Sequence, residues 1–201
     1  MKRKIIILLI ILFIITSLLS YSKTVAQGLK NSVLRLHVIA NSDSIEDQNL
    51  KLKVRDRLIC YMNTLNINTN SKEECIEILK KNFENLKKIA VETIHDEGFD
   101  YDVSIEYGEF DFPTKKYGDI SFPAGKYDAL RIKIGNASGQ NWWCVMFPPL
   151  CFTDTTTGIV PEESKKILKN ELSDEEYTLI SDTSKPTKIK FKIIEFFNNI
   201  F

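Results

Sequence analysis

The stretch Asn141–Phe152, NWWCVMFPPLCF, gathers two tryptophans, two cysteines and two prolines. Three chemistries fit it. A thiol nucleophile needs a base and an orienting group, and His37 and His95 are the chain's two imidazoles. His95 falls near the end of a helical stretch, where the dipole favours a cation. His37 and Cys144 lie on β-rich stretches of what reads as one sheet, so a secreted thiol-dependent enzyme using Cys144 is one reading. No nucleophile elbow or other local catalytic signature surrounds either residue. The second chemistry is a disulfide. Cys144 and Cys151 flank a Pro-Pro corner, and their sulfurs meet if the chain reverses there with suitable Cβ geometry. The third is recognition, because tryptophan is enriched at interface hot spots. Successive strand residues point to opposite faces. Trp142, Cys144 and Met146 therefore share one face, and Trp143, Val145 and Phe147 the other.

Other chemistries find little support. The spacing Cys144-x6-Cys151 does not suit a zinc knuckle, and no nearby His or Cys cluster completes a metal site. The sequence has no Gly-rich phosphate loop and no His-Glu-x-x-His, so neither a cofactor nor a small-molecule substrate is expected. Its 27 basic residues balance 27 acidic ones, which gives no overall field for nucleic acid.

The elements that must position these residues follow from periodicity. Val33–Ala40 alternates, with Leu34, Leu36 and Val38 on one face and Arg35 and His37 on the other, solvated one; this predicts a strand. Asn41–Ser44 ends it. Asp43 with Glu46 reads as a capping box opening a helix to about Leu65. Leu50, Val54, Leu58, Tyr61 and Leu65 form one apolar stripe of that helix, and Ile45, Leu52 and Ile59 a second. Ser71-x-x-Glu74 opens a long amphipathic helix ending at Gly98, antiparallel to the first. Cys60 and Cys75 sit at the facing ends of this hairpin, paired or as packed thiols. The period then drops to two. Strands are predicted over Tyr101–Tyr107, within Phe110–Phe122, from Gly125 with Arg131 and Lys133 outward, and over Trp142–Phe147. Gly135–Gly139 reads as a loop or a long hairpin turn. A short helix over Glu162–Leu172 follows, then loop to Thr187. Lys188–Ile193 alternates like a strand, while Ile189, Ile193, Phe196, Phe197 and Ile200 also suit a helix; the segment either packs on the core or lies on lipid. The fold class is α+β, a helical hairpin packed on a mainly antiparallel sheet with a short helical C-terminal region.

The N-terminus joins Lys2-Arg3-Lys4 to the apolar run Ile5–Ile15, extended by Leu18 and Leu19. Thr24-Val25-Ala26 then offers a cleavage site. Residues 1–27 read as a signal peptide or a retained membrane anchor, Gly28–Asn31 as a short linker, and residues 28–201 as one extracytoplasmic domain.

Leu34–Asp43 (LRLHVIANSD) with Glu46-Asp47-Gln48 and Lys53–Asp56, then Pro123–Ile132 (PAGKYDALRI) and Asn141–Phe152, resembles the stage II sporulation protein R family. The resemblance implies a signalling protein and not an enzyme. It would be exported from the forespore into the space between two membranes, or stay anchored on the outer side by an uncleaved N-terminus. There it would activate a membrane-embedded aspartic protease that processes a pro-sigma factor. A membrane surface is a further partner where the Lys188–Phe201 tail lies on lipid. No catalytic residues come with the family. On physical grounds the candidate partner-binding residues are Arg35, His37, Asn41, Asp43, Trp142 and Trp143, although Asn41 and Asp43 also suit a turn and cap.

Overall fold

The computed structural model describes residues 2–65, 71–151, 160 and 162–181. The expectations for Thr153–Gly158 and Lys188–Phe201 fall outside these. The element order is α1 (Lys2–Ser32), β1 (Leu34–Ile39), α2 (Ile45–Thr64), α3 (Lys72–Lys81), α4 (Phe83–Asp96), β2 (Val103–Phe112), β3 (Lys115–Tyr117), β4 (Ile120–Phe122), β5 (Gly125–Ile134), β6 (Asn141–Phe147), α5 (Glu162–Glu171) and α6 (Asp174–Ile180).

This is the α+β architecture predicted from the pattern. The main sheet has the order β2-β5-β1-β6. β2 pairs with β5 and β6 with β1 antiparallel, while β1 and β5 run parallel. Because β1 lies between β5 and β6, Gly135–Gly139 is not a hairpin turn. Alternation sends Leu34, Leu36, Val38, Leu130, Ile132, Ile134 and Cys144 to one face, against Leu50, Val54 and Leu58 of α2, Leu79 of α3 and Leu86, Ala90 and Ile94 of α4. The other face carries Val145 and Ala129 and is roofed by Phe122 and Ile120 of the β3–β4 hairpin, by Leu29 of α1, Leu168 of α5 and Ile180 of α6. The sheet is thus the middle layer of three.

Local chemistry explains the departures from the predicted elements. Ser44, not Asp43, caps α2, its hydroxyl accepting from the Asp47 amide. The long second helix breaks at Asn82, whose side chain donates to the Ile78 carbonyl and accepts from the Tyr61 hydroxyl. Such side-chain bonds compete with helix continuation. Gly98, at φ 83°, follows the end of α4 as expected. Ser173 and Glu176 form a full capping box that turns the predicted loop into α6. In β6 alternation fails at one place. Leu34 pairs with Phe147 and Arg35 with Val145, a register shift that leaves Met146 as the extra residue. This bulge turns Phe147 onto the α-helical side beside Met146.

The Gly28–Asn31 linker is instead the last turn of α1. Leu29 is fully buried, and Lys72 donates to the Asn31 carbonyl at 2.6 Å. Toward its N-terminus the same helix exposes Ile5–Leu12, Phe13, Ile15 and Leu18. Among the described residues no helix is long and apolar enough to cross a membrane. On α2 the second apolar stripe is uncovered at Ile45 and only partly covered at Leu52. Cys60 and Cys75 are both free, the first exposed and the second buried.

Candidate functional site

Register across the sheet brings four side chains from four strands into one row. Trp143 of β6 pairs with His37 of β1, His37 with Arg131 of β5, and Arg131 with Glu106 of β2. The His37 and Trp143 rings stack at 3.7 Å, 19° from parallel, and Phe112 meets both edgewise at 5.9 and 4.6 Å. Arg131 lies over the Phe110 ring at 3.8 Å and donates to Glu106 Oε2 at 2.6 Å, while Lys133 donates to Oε1 at 2.6 Å. Hydrogen bonds from Lys133 and then Arg131 hold the Glu106 carboxyl below its usual range. Burial, aided by the charges of Arg131, Arg35 and Lys133, lowers the His37 pKa to about 4, so its ring is neutral at physiological pH.

One row along, Arg35 pairs with Val145 and Ala129. Alternation placed it on the polar face, and the structure corrects the expectation that this position is solvated: Arg35 is 0 % exposed and His37 6 %. The roof over this face is the reason. The Arg35 guanidinium sits in an aromatic box, 4.4 Å from Phe112, 5.0 Å from Tyr127 and 5.5 Å from Phe122. It donates to the Tyr117 hydroxyl at 2.9 Å. Planar, weakly hydrated guanidinium tolerates such stacking where an ammonium would not. Among the described residues Arg35 Nη1, both His37 ring nitrogens and Arg131 Nε have no hydrogen-bond partner.

Asn41 and Asp43 stand at the end of β1, in a polar network that ties the β1–α2 turn to the β5–β6 turn. Asn41 donates to Asp47 Oδ2 (2.8 Å) and accepts from the Asn136 amide (2.9 Å). Asp43 accepts from the Gln140 amide at 2.6 Å. Burial alone would raise the Asp47 pKa, but hydrogen bonds from Ser42 and Asn41 outweigh it and hold the carboxyl low. The turn reading of Asn41 and Asp43 thus has a full set of partners.

Trp142 lies on the opposite face, half-buried, with Arg55 of α2 stacked 4.8 Å above it. Cys144 is bonded to Cys151, with Cα atoms 5.4 Å apart. The Leu150 and Cys151 amides both donate to the Val145 carbonyl, folding the Pro-Pro corner back on β6. Cys144 pairs with Leu36 and faces the helices, whereas His37 faces the aromatic side. The Cys144–His37 dyad considered from sequence therefore does not form. Among the described residues no group of three or more His, Cys, Asp or Glu side chains is placed to hold a metal ion.

Three of the six candidate residues, Arg35, His37 and Trp143, thus meet on one face; Asn41 and Asp43 adjoin it, and Trp142 lies behind it. Sequence reasoning missed Glu106, Phe110, Phe112 and Arg131 as members. The available signal was that Arg131 and Glu106 fall at outward positions of amphipathic strands; that those strands are neighbours was not readable.

The fold and this face define an α+β domain whose second sheet face carries a row of aromatic and charged side chains from register-paired strands. The chain belongs to the stage II sporulation protein R family, whose sequence pattern matches residues 30–157. It is 33% identical over 184 residues to the stage II sporulation protein R of Bacillus subtilis (strain 168), covering 85% of this chain and 82% of that protein. Membership assigns the chain a role in sporulation. No solved structure matches it.

Proposed function

We propose that this protein is an exported signal of sporulation that activates a membrane-embedded aspartic protease, which then processes a pro-sigma factor. The signal leaves the forespore for the intermembrane space, cleaved free or held to the outer membrane face by α1. It acts by binding, and shifts the protease only by the difference in its affinity for the inactive and active states. The observation that carries the reading is the Trp143–His37–Arg131–Glu106 row. It sets an aromatic plate, with the His37 ring buried, beside the paired and partly exposed charges of Arg131 and Glu106, and among the described residues Cys144 faces away from that imidazole. The thiol-enzyme alternative has less support, since Cys144 is bonded to Cys151 and turned to the other face.

The test is pro-sigma processing in cells that coproduce the candidate protease and this chain. Trp143→Ala and Arg131→Gln should each reduce processing at least about tenfold, the scale of an interface hot spot. Trp142→Ala, on the opposite face, should leave processing within about twofold. Full processing by folded Trp143→Ala and Arg131→Gln proteins would remove this surface from the account.

A further inference from the structure

Two rows of the sheet's second face lie at and past the edge of its roof. The apolar cluster under the β3–β4 hairpin, α5 and α6 reaches Trp143 and does not extend to the next row out. In that row Asn141 pairs with Ile39, Ile39 with Lys133, and Lys133 with Ser104. Asn141 and Ser104 are exposed and Lys133 is half-buried, as are Trp143, Arg131 and Glu106 one row behind. Alternation turns all of these side chains to the same face. They form an open shelf, with His37 and Ile39 as its floor, β6 on one flank and the cations of β5 on the other. The charge of the shelf is lopsided. Glu106 is the carboxylate in these two rows, and Arg131 and Lys133 already share it. A third cation, Arg35, is buried behind His37 on the same strand face. Beyond its burial, His37 is held neutral by the charges of Arg131, Arg35 and Lys133. Among the described residues both His37 nitrogens, Arg131 Nε and Arg35 Nη1 are buried without a hydrogen-bond partner. A buried donor left without an acceptor costs stability that an arriving acceptor restores.

We propose that this shelf receives an acidic segment of the protein partner, with a carboxylate set over His37 and Ile39 between the β6 flank and the cations of β5. The assignment deepens the binding role proposed for this face and rests on it. Charge complementarity selects the occupant. Lys133 and Arg131 give a carboxylate charge-assisted hydrogen bonds, and the exposed Asn141 amide adds a neutral donor on the other flank. A basic segment would meet the same two cations and be repelled. A membrane would press a continuous anionic surface onto Glu106 and onto the exposed Asp102 just before β2, whereas a single side chain avoids both. Trp143 flanks the docking position with a ring already held in place by its stack on His37, so little side-chain freedom is lost on binding.

The experiment is an NMR titration of the full chain, in uncharged detergent, with a capped hexaglutamate peptide. The Trp143 indole signal and the Arg131 and Lys133 amide signals should move saturably. Raising salt from about 0.05 M to about 0.5 M should weaken the complex at least about fivefold, because screening shortens the reach of the charges. Lys133→Gln should weaken it by a similar factor, with an unshifted Trp143 indole in the free protein showing that the stack is intact. Unmoved signals overturn the proposal, and so does equal movement with hexalysine. Movement caused by phosphatidylglycerol vesicles but not by hexaglutamate overturns it in favour of lipid. Shifts that grow with protein concentration alone overturn it in favour of a second copy. The pro-sigma processing assay separates this proposal from the activating role. Hexaglutamate binding together with full processing by Lys133→Gln supports the acidic site and removes its part in activation. Lost processing by folded Lys133→Gln without any hexaglutamate binding keeps the activating surface and overturns the acidic partner.

Discussion

His37 and Trp143 stack face to face at 3.7 Å across the β1–β6 pair, joining two sequence blocks more than a hundred residues apart. The contact shields the imidazole and keeps it uncharged. Unfolded, the ring titrates near 6.5; folded, at about 4. The unfolded chain therefore binds this proton more readily, and its uptake favours unfolding. The His37 contribution is intact above about pH 6.5 and is lost as pH falls toward about 4. Urea midpoints measured from pH 7 to 4.5 should decline for the natural chain and decline less for His37→Phe. Equal slopes would show that the ring is already charged in the fold.

Arg35 is a buried cation enclosed by aromatic rings. Removing its bulk should cost more than removing its charge. Arg35→Ala should lower stability by about 3–5 kcal/mol, as for other large buried side chains. Arg35→Met keeps most of the volume without a charge to desolvate and should lose less than about 2 kcal/mol. Denaturant titration of the two variants gives the order directly, and equal losses for Met and Ala would mean that the charge, not the bulk, carries the contribution.

The Cys144–Cys151 bond closes a short loop, with a sequence separation of seven. On the loop-entropy relation its loss should cost about 2–3 kcal/mol. Thiol labelling of protein collected after export should find these two cysteines blocked and Cys60 accessible. A Cys144→Ala/Cys151→Ala variant that remains folded should still support pro-sigma processing. Complete loss of processing with the fold intact would revive the thiol chemistry.

Gly139 and Gly98 separate two uses of glycine. A Cβ at Gly139 would overlap the Ser42 carbonyl where the two turns are tied together, whereas one at Gly98, at φ 83°, meets nothing within 4 Å. Gly98→Ala should cost only the left-handed backbone penalty of about 1–2 kcal/mol. Gly139→Ala must instead part the Asn41–Asp43 turn from the β5–β6 turn and should cost more than about 2 kcal/mol. Thermal unfolding of both variants measures the difference, and equal shifts would mean that the turns separate freely.

Much of the architecture was written locally. The switch from a helical to a two-residue period placed α2–α4 before β2–β6. Ser71 and Gly98 marked the ends of the second helical segment, and alternation correctly assigned Leu36, Val38, Leu130 and Ile132 to the helix-covered face. Such signals depend on residues within a turn or two of one another, so a linear reading captures them. The bulge at Met146, the break at Asn82 and the burial of Arg35 depend on distant partners: Leu34 across the sheet, Tyr61 on a neighbouring helix, and the β3–β4 hairpin as a roof. The candidate site has the same division. Composition and alternation determined which side chains were polar or aromatic and which way each pointed along its own strand. Only the order β2-β5-β1-β6 decided that Glu106, Arg131, His37 and Trp143 stand in one line, because strand neighbours are chosen by the packing of the whole layer and leave no periodic trace in the chain.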